Sequence, residues 1–145
     1  IELGTGLGLS TVYLASSLPG AEAHTVEGDM ERLSFAKQEF LKLGLKNILP
    51  YNDSFENFLQ SASFESGKYA IFLDGNHKLE PSLRYFNYFA DICDEDSLIV
   101  LDDINWSDEM REAWRIIKTH PSVSISVDLF FIGIIFFPYC IRIKY

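Results

Sequence analysis

The spacing of hydrophobic and polar positions changes repeatedly along the chain between a strand pattern and a helix pattern. Short apolar runs bounded by turn residues predict strands over residues 1–3, 23–27, 47–51, 69–73, 97–101, 123–127 and about 131–137. Apolar residues at helical spacing predict helices over residues 8–18, 30–43, 55–61, 81–93 and 107–119. Because strands and helices alternate, the sequence predicts an α/β fold with a mostly parallel sheet and right-handed crossover connections.

Two of the predicted helices have well-marked ends and a clear apolar face. Ser107 is placed to cap one of them, and Gly44 is a natural carboxyl-terminal cap for the other. The apolar face of the helix over 107–119 consists of Met110, Ala113, Trp114 and Ile117. The apolar face of the helix over 30–43 consists of Leu33, Ala36, Phe40 and Leu43. We expect both faces to be buried against the sheet.

The last two predicted strands have no helix between them, so we expect them to form an antiparallel hairpin. The apolar stretch over 129–137 is too short to span a membrane, and we interpret it as buried sheet rather than as a dimer surface. Residues 139–145 alternate with a period of two, which is typical of an edge strand. Four aromatic residues at helical spacing are interpreted as core: Tyr85, Phe86, Tyr88 and Phe89.

Length and composition favour a single globular domain over residues 1–145, since 48% of the 145 residues are hydrophobic. The net charge of −9 argues against nucleic acid as a partner. Cys93 and Cys140 are isolated from each other and from histidines, which indicates a reducing, cytoplasmic location without zinc or disulfides. The sequence starts inside a motif and without an initiator Met, so we expect an N-terminal element to be missing.

That motif is a glycine-rich loop directly after the first strand. Gly4, Gly6 and Gly8 alternate with other residues, and a predicted helix follows at once. Glycines allow a sharp turn and let a ligand approach the backbone closely. The dinucleotide fingerprint needs Gly or Ala where this chain has Leu9, which disfavours a nicotinamide-dependent oxidoreductase. Glu2 precedes the first glycine and suits a ligand that carries a cationic group.

Polar residues also follow the other predicted parallel strands: Glu27-Gly28-Asp29, Asn52-Asp53-Ser54, Asp74-Gly75-Asn76-His77 and Asp102-Asp103. Ligands of open parallel sheets bind beyond the carboxyl ends of the strands, so these groups are candidate site residues. Glu27 lies 23 residues after Gly4, where a carboxylate can accept hydrogen bonds from ribose hydroxyls. Asp53 and Ser54 either meet a nucleobase edge or form an ordinary turn and helix cap.

The glycine loop and the polar segments after the strands together resemble the class I S-adenosylmethionine-dependent methyltransferases, and the resemblance covers nearly the whole chain. The segments Asp74-Gly75-Asn76-His77 and Asp102-Asp103 are similar to those of small-molecule O-methyltransferases, including the catechol O-methyltransferase-like group. The resemblance implies a Rossmann-like, doubly wound sheet of seven strands in the order 3-2-1-4-5-7-6. It also implies that S-adenosylmethionine is the cofactor. The residues expected at the cofactor are Glu2, Gly4, Thr5, Gly6, Gly8, Ser10, Glu27, Gly28, Asp53, Ser54 and Asp74.

The acids after the fourth and fifth strands have two interpretations. In the metal-dependent O-methyltransferases, acids at these ends hold a divalent ion, which implies a Mg²⁺ site at Asp74, Asp102 and Asp103. Alternatively, Asp74 contacts the cofactor side and Asp103 caps a turn, without a metal. Trp106 follows these acids and either lines the acceptor site or has no role there.

His77 is the expected general base, acting with Asp74 as the candidate catalytic residues, because a histidine titrates close to neutral pH. The catechol-type pattern has a lysine three residues after the aspartate, whereas this chain has His77 there and Lys78 next. The other histidines, His24 and His120, are interpreted as structural or solvated.

The sequence therefore predicts methyl transfer from S-adenosylmethionine to an oxygen of a small-molecule acceptor, with neither nucleic acid nor a membrane as partner. A homodimer is left open. Two alternatives also stay open: a truncated or non-catalytic domain that only binds the cofactor and, less favoured, a nicotinamide-dependent oxidoreductase.

Overall fold

The computed structural model describes residues 1–138, and within them the predicted alternation of strands and helices is present. The strands are β1 (Glu2–Leu3), β2 (Ala23–Glu27), β3 (Ile48–Asn52), β4 (Ala70–Leu73), β5 (Leu98–Leu101), β6 (Ile125–Asp128) and β7 (Gly133–Phe136). The helices are α1 (Leu9–Ser17), α2 (Met30–Lys42), α3 (Phe55–Ser61), α4 (Leu79–Ile92) and α5 (Asp108–Ile117).

The strands form one seven-stranded sheet in the order β3-β2-β1-β4-β5-β7-β6. The pairs β1–β2, β2–β3 and β4–β5 are parallel, whereas β5–β7 and β6–β7 are antiparallel. The predicted sheet order and the predicted closing hairpin are both confirmed. The edge strand predicted over 139–145 lies outside the described residues.

Backbone contacts divide the chain into two compact units, one formed by Ile1–Ser63 and one that begins at Phe64. In the first unit, α1, α2 and β3 contribute to a core that contains Ala15, Ala36, Phe40 and Ile48. Burial of a side chain such as Phe40 stabilises a fold by roughly 1.5–3 kcal/mol. The helix faces predicted from spacing are therefore what holds this unit together.

The ends of α2 follow local capping chemistry. The Asp29 side chain accepts hydrogen bonds from the backbone N–H groups of Glu31 and Arg32, which begins the helix. Gly44, with a φ of +68°, ends it in the left-handed conformation that glycine adopts most easily. The prediction that Leu43 is buried was wrong: it is 58% exposed because the helix ends at Lys42 and Leu43 already belongs to the cap.

In the second unit, α4 and α5 pack together, and α4 also packs against β4. All four residues of the predicted α5 face are buried: Met110, Ala113, Trp114 and Ile117. Tyr85, Phe86 and Phe89 of α4 are buried as predicted, and Tyr88 is half-buried. None of the helices within residues 1–138 combines the length and the apolar character that a membrane-spanning helix needs.

The closing hairpin is anchored by Trp114. A Cβ added to Gly133 would lie 2.6 Å from the Trp114 ring, so the indole packs directly on the start of β7. The indole Nε1 also donates a hydrogen bond of 2.8 Å to Asp128 Oδ2 at the end of β6. These contacts fix the two strand ends that flank the hairpin turn.

The hairpin turn itself corrects one prediction. Gly133 and Ile135 of β7 are buried, but Leu129, Phe130 and Phe131 in the turn are 58%, 63% and 63% exposed. Phe130 also has a φ of +72°, a left-handed conformation that costs an ordinary residue roughly 1–2 kcal/mol. The apolar run was interpreted as uniformly buried because periodicity does not reveal where a strand ends and its turn begins.

Candidate functional site

The glycine loop between β1 and α1 has the conformation that its sequence predicts. Gly4, Gly6 and Gly8 have φ values of +116°, +52° and +87°, all in the region that favours glycine. The backbone N–H groups of Gly4 and Thr5 both donate to the carbonyl oxygen of Val26, which ties the loop to β2.

Gly6 and Gly8 serve different purposes in this loop. A Cβ at Gly6 would have nothing within 4 Å among the described residues, so the backbone there is open to a ligand. A Cβ at Gly8 would lie 2.6 Å from Phe40 Cε1 and 3.0 Å from Ala36 Cβ. Gly8 is therefore needed for close packing of the loop on α2, a reason that the sequence motif did not reveal.

The carboxylate of Glu27 is held by the backbone at the end of β2. Its Oε2 accepts a hydrogen bond from Gly6 N, and its Oε1 accepts one from Asp29 N, both at 2.9 Å. A carboxylate has about four lone-pair positions, so each oxygen can still accept a hydroxyl from a ligand. Glu27 is thus fixed between the glycine loop and the start of α2, and its contact with a ribose diol stays a prediction.

Glu2 lies inside a group of threonines. It is 1% exposed, and its Oε2 accepts hydrogen bonds from the hydroxyls of Thr11 and Thr25. The Thr5 hydroxyl is 2.6 Å from the Thr25 hydroxyl, so Thr5 belongs to the same network. Glu2 Oε1 is buried and has no hydrogen-bond partner among residues 1–138. Sequence reasoning missed Thr11 and Thr25 because nothing in their local spacing marks them.

The remaining candidates of the first unit lie in cap and turn positions. Ser54 Oγ accepts a hydrogen bond from Asn57 N and caps α3, while Asp53 Oδ1 accepts from Ser54 N and Asn57 Nδ2. Both side chains therefore form the ordinary turn and helix cap that was one of their two interpretations. A contact of Asp53 or Ser54 with a nucleobase stays a prediction. Gly28 is exposed at the end of β2, and Ser10 is half-buried in the first turn of α1.

In the second unit, the ends of β4 and β5 bring a histidine and two carboxylates together. His77 Nε2 lies 3.7 Å from Asp74 Oδ1 and 3.9 Å from Asp103 Oδ2, and all three side chains are about two-thirds buried. Asp103 adopts a φ of +55°, an uncommon conformation for a residue other than glycine. The loop after β5 therefore turns at Asp103, with its carboxylate close to His77.

Two hydrogen bonds hold the segment that carries His77. Asn76, with a φ of +64°, donates from Nδ2 to the hydroxyl of the buried Tyr85 at 3.0 Å. Leu79 N donates to Glu109 Oε2 of α5, also at 3.0 Å. His77 is thus held from both sides by residues of α4 and α5. The sequence did not indicate Tyr85 for this role, since it was interpreted as core, and nothing in the local spacing connects Glu109 with Leu79.

The magnesium site predicted at Asp74, Asp102 and Asp103 is not formed. No three His, Cys, Asp or Glu side chains within residues 1–138 are arranged so that they could hold a metal ion. Asp74 and Asp103 are instead close to the His77 imidazole, whereas the half-buried Asp102 continues the strand pairing through its N–H to Leu73 O. The three carboxylates are of the type that Mg²⁺ binds, but within residues 1–138 they are not grouped as a metal site requires.

Trp106 belongs to the same loop and is 73% exposed. Next to it, Asn105 Nδ2 donates to Phe130 O at 2.6 Å, and Ile104 N donates to Phe131 O at 3.0 Å. The loop after β5 is therefore fastened to the exposed turn of the closing hairpin.

A cavity of about 540 Å³ lies elsewhere in the second unit, lined in part by Gly67, Cys93, Asp94 and Phe137. It contains none of the predicted site residues. Burial raises the pKa of the Cys93 thiol to about 11, which keeps the sulfur protonated and unreactive near neutral pH. We assign no chemistry to this cavity.

Comparison with solved structures gives the same fold at low sequence identity. The cofactor-bound Rv0187 from MTB has a TM-score of 0.80 and 18% identity, covering 96% of this chain and 72% of that one. An O-methyltransferase from Bacillus cereus in complex with SAH has a TM-score of 0.75 and 20% identity, covering 93% and 72%. TomG, an O-methyltransferase from Streptomyces achromogenes in complex with SAM, has a TM-score of 0.77 and 16% identity, covering 94% and 71%.

No curated protein sequence matches the chain. A family profile described as a methyltransferase domain does match, over residues 1–104, which contain the glycine loop, Glu27, His77 and Asp103. On that match, and with the sheet order that the resemblance predicted, the chain belongs to the methyltransferase domain family.

Proposed function

We propose that this protein transfers a methyl group from S-adenosylmethionine to an oxygen of a small-molecule acceptor, with His77 as the general base. The observation that carries the proposal is the His77 imidazole within 4 Å of the Asp74 and Asp103 carboxylates, in a chain of the methyltransferase domain family. Oxygen is favoured as the accepting atom because a hydroxyl must lose a proton to become a good nucleophile, and histidine is suited to accept it.

The residues of the first unit fit the cofactor. Gly6 leaves space beside its backbone, and Glu27 has a carboxylate already oriented by two N–H groups. Glu2 has a buried oxygen for which residues 1–138 supply no hydrogen-bond partner. A glycine loop, a diol acceptor and a negative charge suit the methionine, ribose and cationic parts of S-adenosylmethionine. When bound, the cofactor supplies a methyl group on a sulfonium.

His77 and its neighbours provide the remaining chemistry. His77 Nε2 accepts the acceptor's hydroxyl proton, and the imidazolium that results lies within 4 Å of two carboxylates. At this distance each charge pair contributes on the order of 1 kcal/mol in water and more where solvent is excluded. Asp74 and Asp103 thus lie where their negative charges offset the positive charge that proton transfer places on His77.

The first experiment separates cofactor binding from proton transfer. We expect the protein to bind S-adenosylhomocysteine in calorimetric titration, and Glu27→Ala to weaken that binding by about tenfold or more because two cofactor hydrogen bonds are lost. We expect His77→Asn to bind it within about twofold of the wild type, because His77 is not among the residues proposed to hold the cofactor.

Turnover is then measured with radiolabelled S-adenosylmethionine and a panel of hydroxylated small molecules. We expect His77→Asn to lower kcat by roughly 10²–10⁴-fold, the usual contribution of a general base. His120→Asn is the matched control, because His120 belongs to the same unit and is hydrogen-bonded locally to Ser122 N. Full activity in His77→Asn would contradict the proposed role of His77.

The panel also tests the two alternatives. Binding of S-adenosylhomocysteine without turnover on any hydroxyl, amine or thiol compound would indicate a non-catalytic, cofactor-binding domain. Tight binding of NADH without binding of S-adenosylhomocysteine would indicate an oxidoreductase and would contradict our interpretation of the glycine loop.

A further inference from the structure

The turn after β2, over residues 27–29, is held from the neighbouring strand by one side chain. Asn52 is the last residue of β3 and pairs with Glu27 in the parallel register. Its Nδ2 donates to the backbone carbonyl oxygen of Glu27 at 2.9 Å and to that of Gly28 at 3.3 Å. A side-chain amide has two N–H groups, so one group can serve each carbonyl. Asn52 therefore bridges the two peptide groups at which the chain leaves β2.

The same turn holds the carboxylate of Glu27. Glu27 Oε1 accepts a hydrogen bond from Asp29 N, so the carboxylate is tied to the turn itself. Glu27 Oε2 accepts from Gly6 N of the glycine loop. A Cβ at Gly28 would lie 3.8 Å from the carbonyl oxygen of Asp53, which shows that the turn lies against the backbone just after β3. A change in the contact between the turn and Asn52 would therefore move the carboxylate relative to the glycine loop.

A second asparagine uses the same chemistry at the other end of β3. Asn47 lies just before this strand, and its Nδ2 donates to the carbonyl oxygens of Ala15, Leu18 and Ala21. None of these three is a predicted site residue. At roughly 3.3 Å per residue along a strand, Asn47 and Asn52 are roughly 16 Å apart. The first unit thus contains two similar amide contacts, one beside the candidate cofactor residues and one far from them.

We propose that Asn52 is a positioning residue of the cofactor site, which holds the Glu27 carboxylate in place for the ribose by binding the carbonyls of Glu27 and Gly28. This inference rests on the proposed function. The side chain acts through Glu27 and does not touch the cofactor. A carboxylate fixed before binding loses less conformational freedom when the ligand arrives, which increases affinity. The role requires N–H donors, because an aspartate of the same shape has no hydrogen to donate to a carbonyl when it is ionised.

The test measures binding of S-adenosylhomocysteine by calorimetric titration, at a temperature where circular dichroism shows every variant to be folded. We expect Asn52→Ala and the isosteric Asn52→Asp each to weaken binding by about threefold to tenfold, the effect of losing hydrogen bonds that orient a ligand-binding group. Asn47→Ala is the matched control. It should lower the urea concentration at the midpoint of unfolding and leave the affinity within about twofold of the wild type.

A double-mutant cycle with Glu27 separates positioning from a structural role. If Asn52 acts through the carboxylate, its substitution has no further effect on affinity once the carboxylate is absent. We therefore expect Asn52→Ala to change the affinity of the Glu27→Ala variant by less than about twofold, although each substitution alone weakens binding. A side chain that only stabilises the fold would change the midpoint of unfolding without this dependence on Glu27.

Three results would overturn the inference and leave the proposed function intact. One is an affinity of Asn52→Ala equal to that of the wild type. Another is additive losses of affinity in the double variant, because Asn52 would then act independently of Glu27. The third is an equal loss in Asn47→Ala, since general loosening of the unit would explain both effects. Failure of the proposed function is recognised separately, because the wild type would then not bind S-adenosylhomocysteine, and the inference would fail with it.

Discussion

Substitution of Gly8 by alanine tests the packing of the glycine loop directly. Two effects add at this position. The φ of +87° places an alanine in the left-handed region, and the new Cβ would lie 2.6 Å from Phe40 Cε1 and 2.9 Å from Phe40 Cζ. Because Phe40 is buried in the core of the first unit, its ring cannot move aside without disturbing Ala15, Ala36 and Ile48.

The expected loss of stability follows from these two effects. The left-handed conformation costs an alanine roughly 1–2 kcal/mol, and overpacking of a tight core typically costs about 1–3 kcal/mol. We therefore expect Gly8→Ala to lower the free energy of unfolding by about 2–5 kcal/mol. Domains of this kind have a total stability of roughly 5–15 kcal/mol, so the variant should fold but unfold at markedly lower urea concentration.

Gly6→Ala is the matched control within the same loop. Gly6 has a φ of +52° but open space around it, so only the conformational cost applies, roughly 1–2 kcal/mol. We expect this variant to be more stable than Gly8→Ala and yet to lose affinity for S-adenosylhomocysteine, because the new methyl group would occupy the surface that we propose for the cofactor. Urea unfolding followed by circular dichroism, together with calorimetric titration, measures both quantities.

A double-mutant cycle makes the reasoning refutable. Phe40→Leu shortens the side chain that the new Cβ would meet, so Gly8→Ala should be less damaging in that background, by about 0.5 kcal/mol or more. Equal midpoints for Gly8→Ala and Gly6→Ala, or an absence of coupling with Phe40, would show that the loop does not pack on α2 as described.

Three further outcomes are expected. Since the pKa of the Cys93 thiol is raised to about 11 by burial, a Cys140→Ser variant should react slowly with a thiol reagent near neutral pH and faster only toward pH 11; rapid reaction at neutral pH would contradict the burial. Burial lowers the pKa of His24, so the unfolded state binds a proton there more readily, and the free energy of unfolding should fall as the pH drops through about 6.5. In urea unfolding at several pH values, His24→Phe should make the free energy of unfolding depend less on pH. The same pH dependence in the variant and the wild type would contradict the burial of His24. Tyr85→Phe removes the acceptor for Asn76 and should lower kcat while leaving affinity for S-adenosylhomocysteine unchanged; turnover at the wild-type rate would show that this hydrogen bond does not position the base.

The sequence was sufficient for the order of elements and for most buried faces, because these depend on local periodicity and capping. Ser107 caps α5 and Gly44 ends α2 as their residue types predict. The start of α4 was placed at Pro81, two residues late. The reason is that Glu109, 30 residues away, accepts the hydrogen bond of Leu79 N. A contact between distant residues leaves no mark in local spacing.

The candidate site was predictable as a set of positions but not as an arrangement. Glycine spacing and Glu27 could be recognised from the motif. The grouping of acids after β4 and β5 was also visible, but it suggested a metal site, whereas the structure brings His77 close to Asp74 and Asp103. That difference depends on the backbone angle of Asp103, which a sequence pattern does not specify.

The two tryptophans of the chain lie in opposite environments, and this gives the protein two separate optical signals. Trp106 is 73% exposed in the loop after β5, whereas Trp114 is 4% exposed and hydrogen-bonded to Asp128. The emission of Trp106 should be at longer wavelength and open to collisional quenching, while that of Trp114 should change only when the hairpin detaches from α5. A spectrometer can therefore follow events at the loop and unfolding of the second unit in the same sample, without any added label.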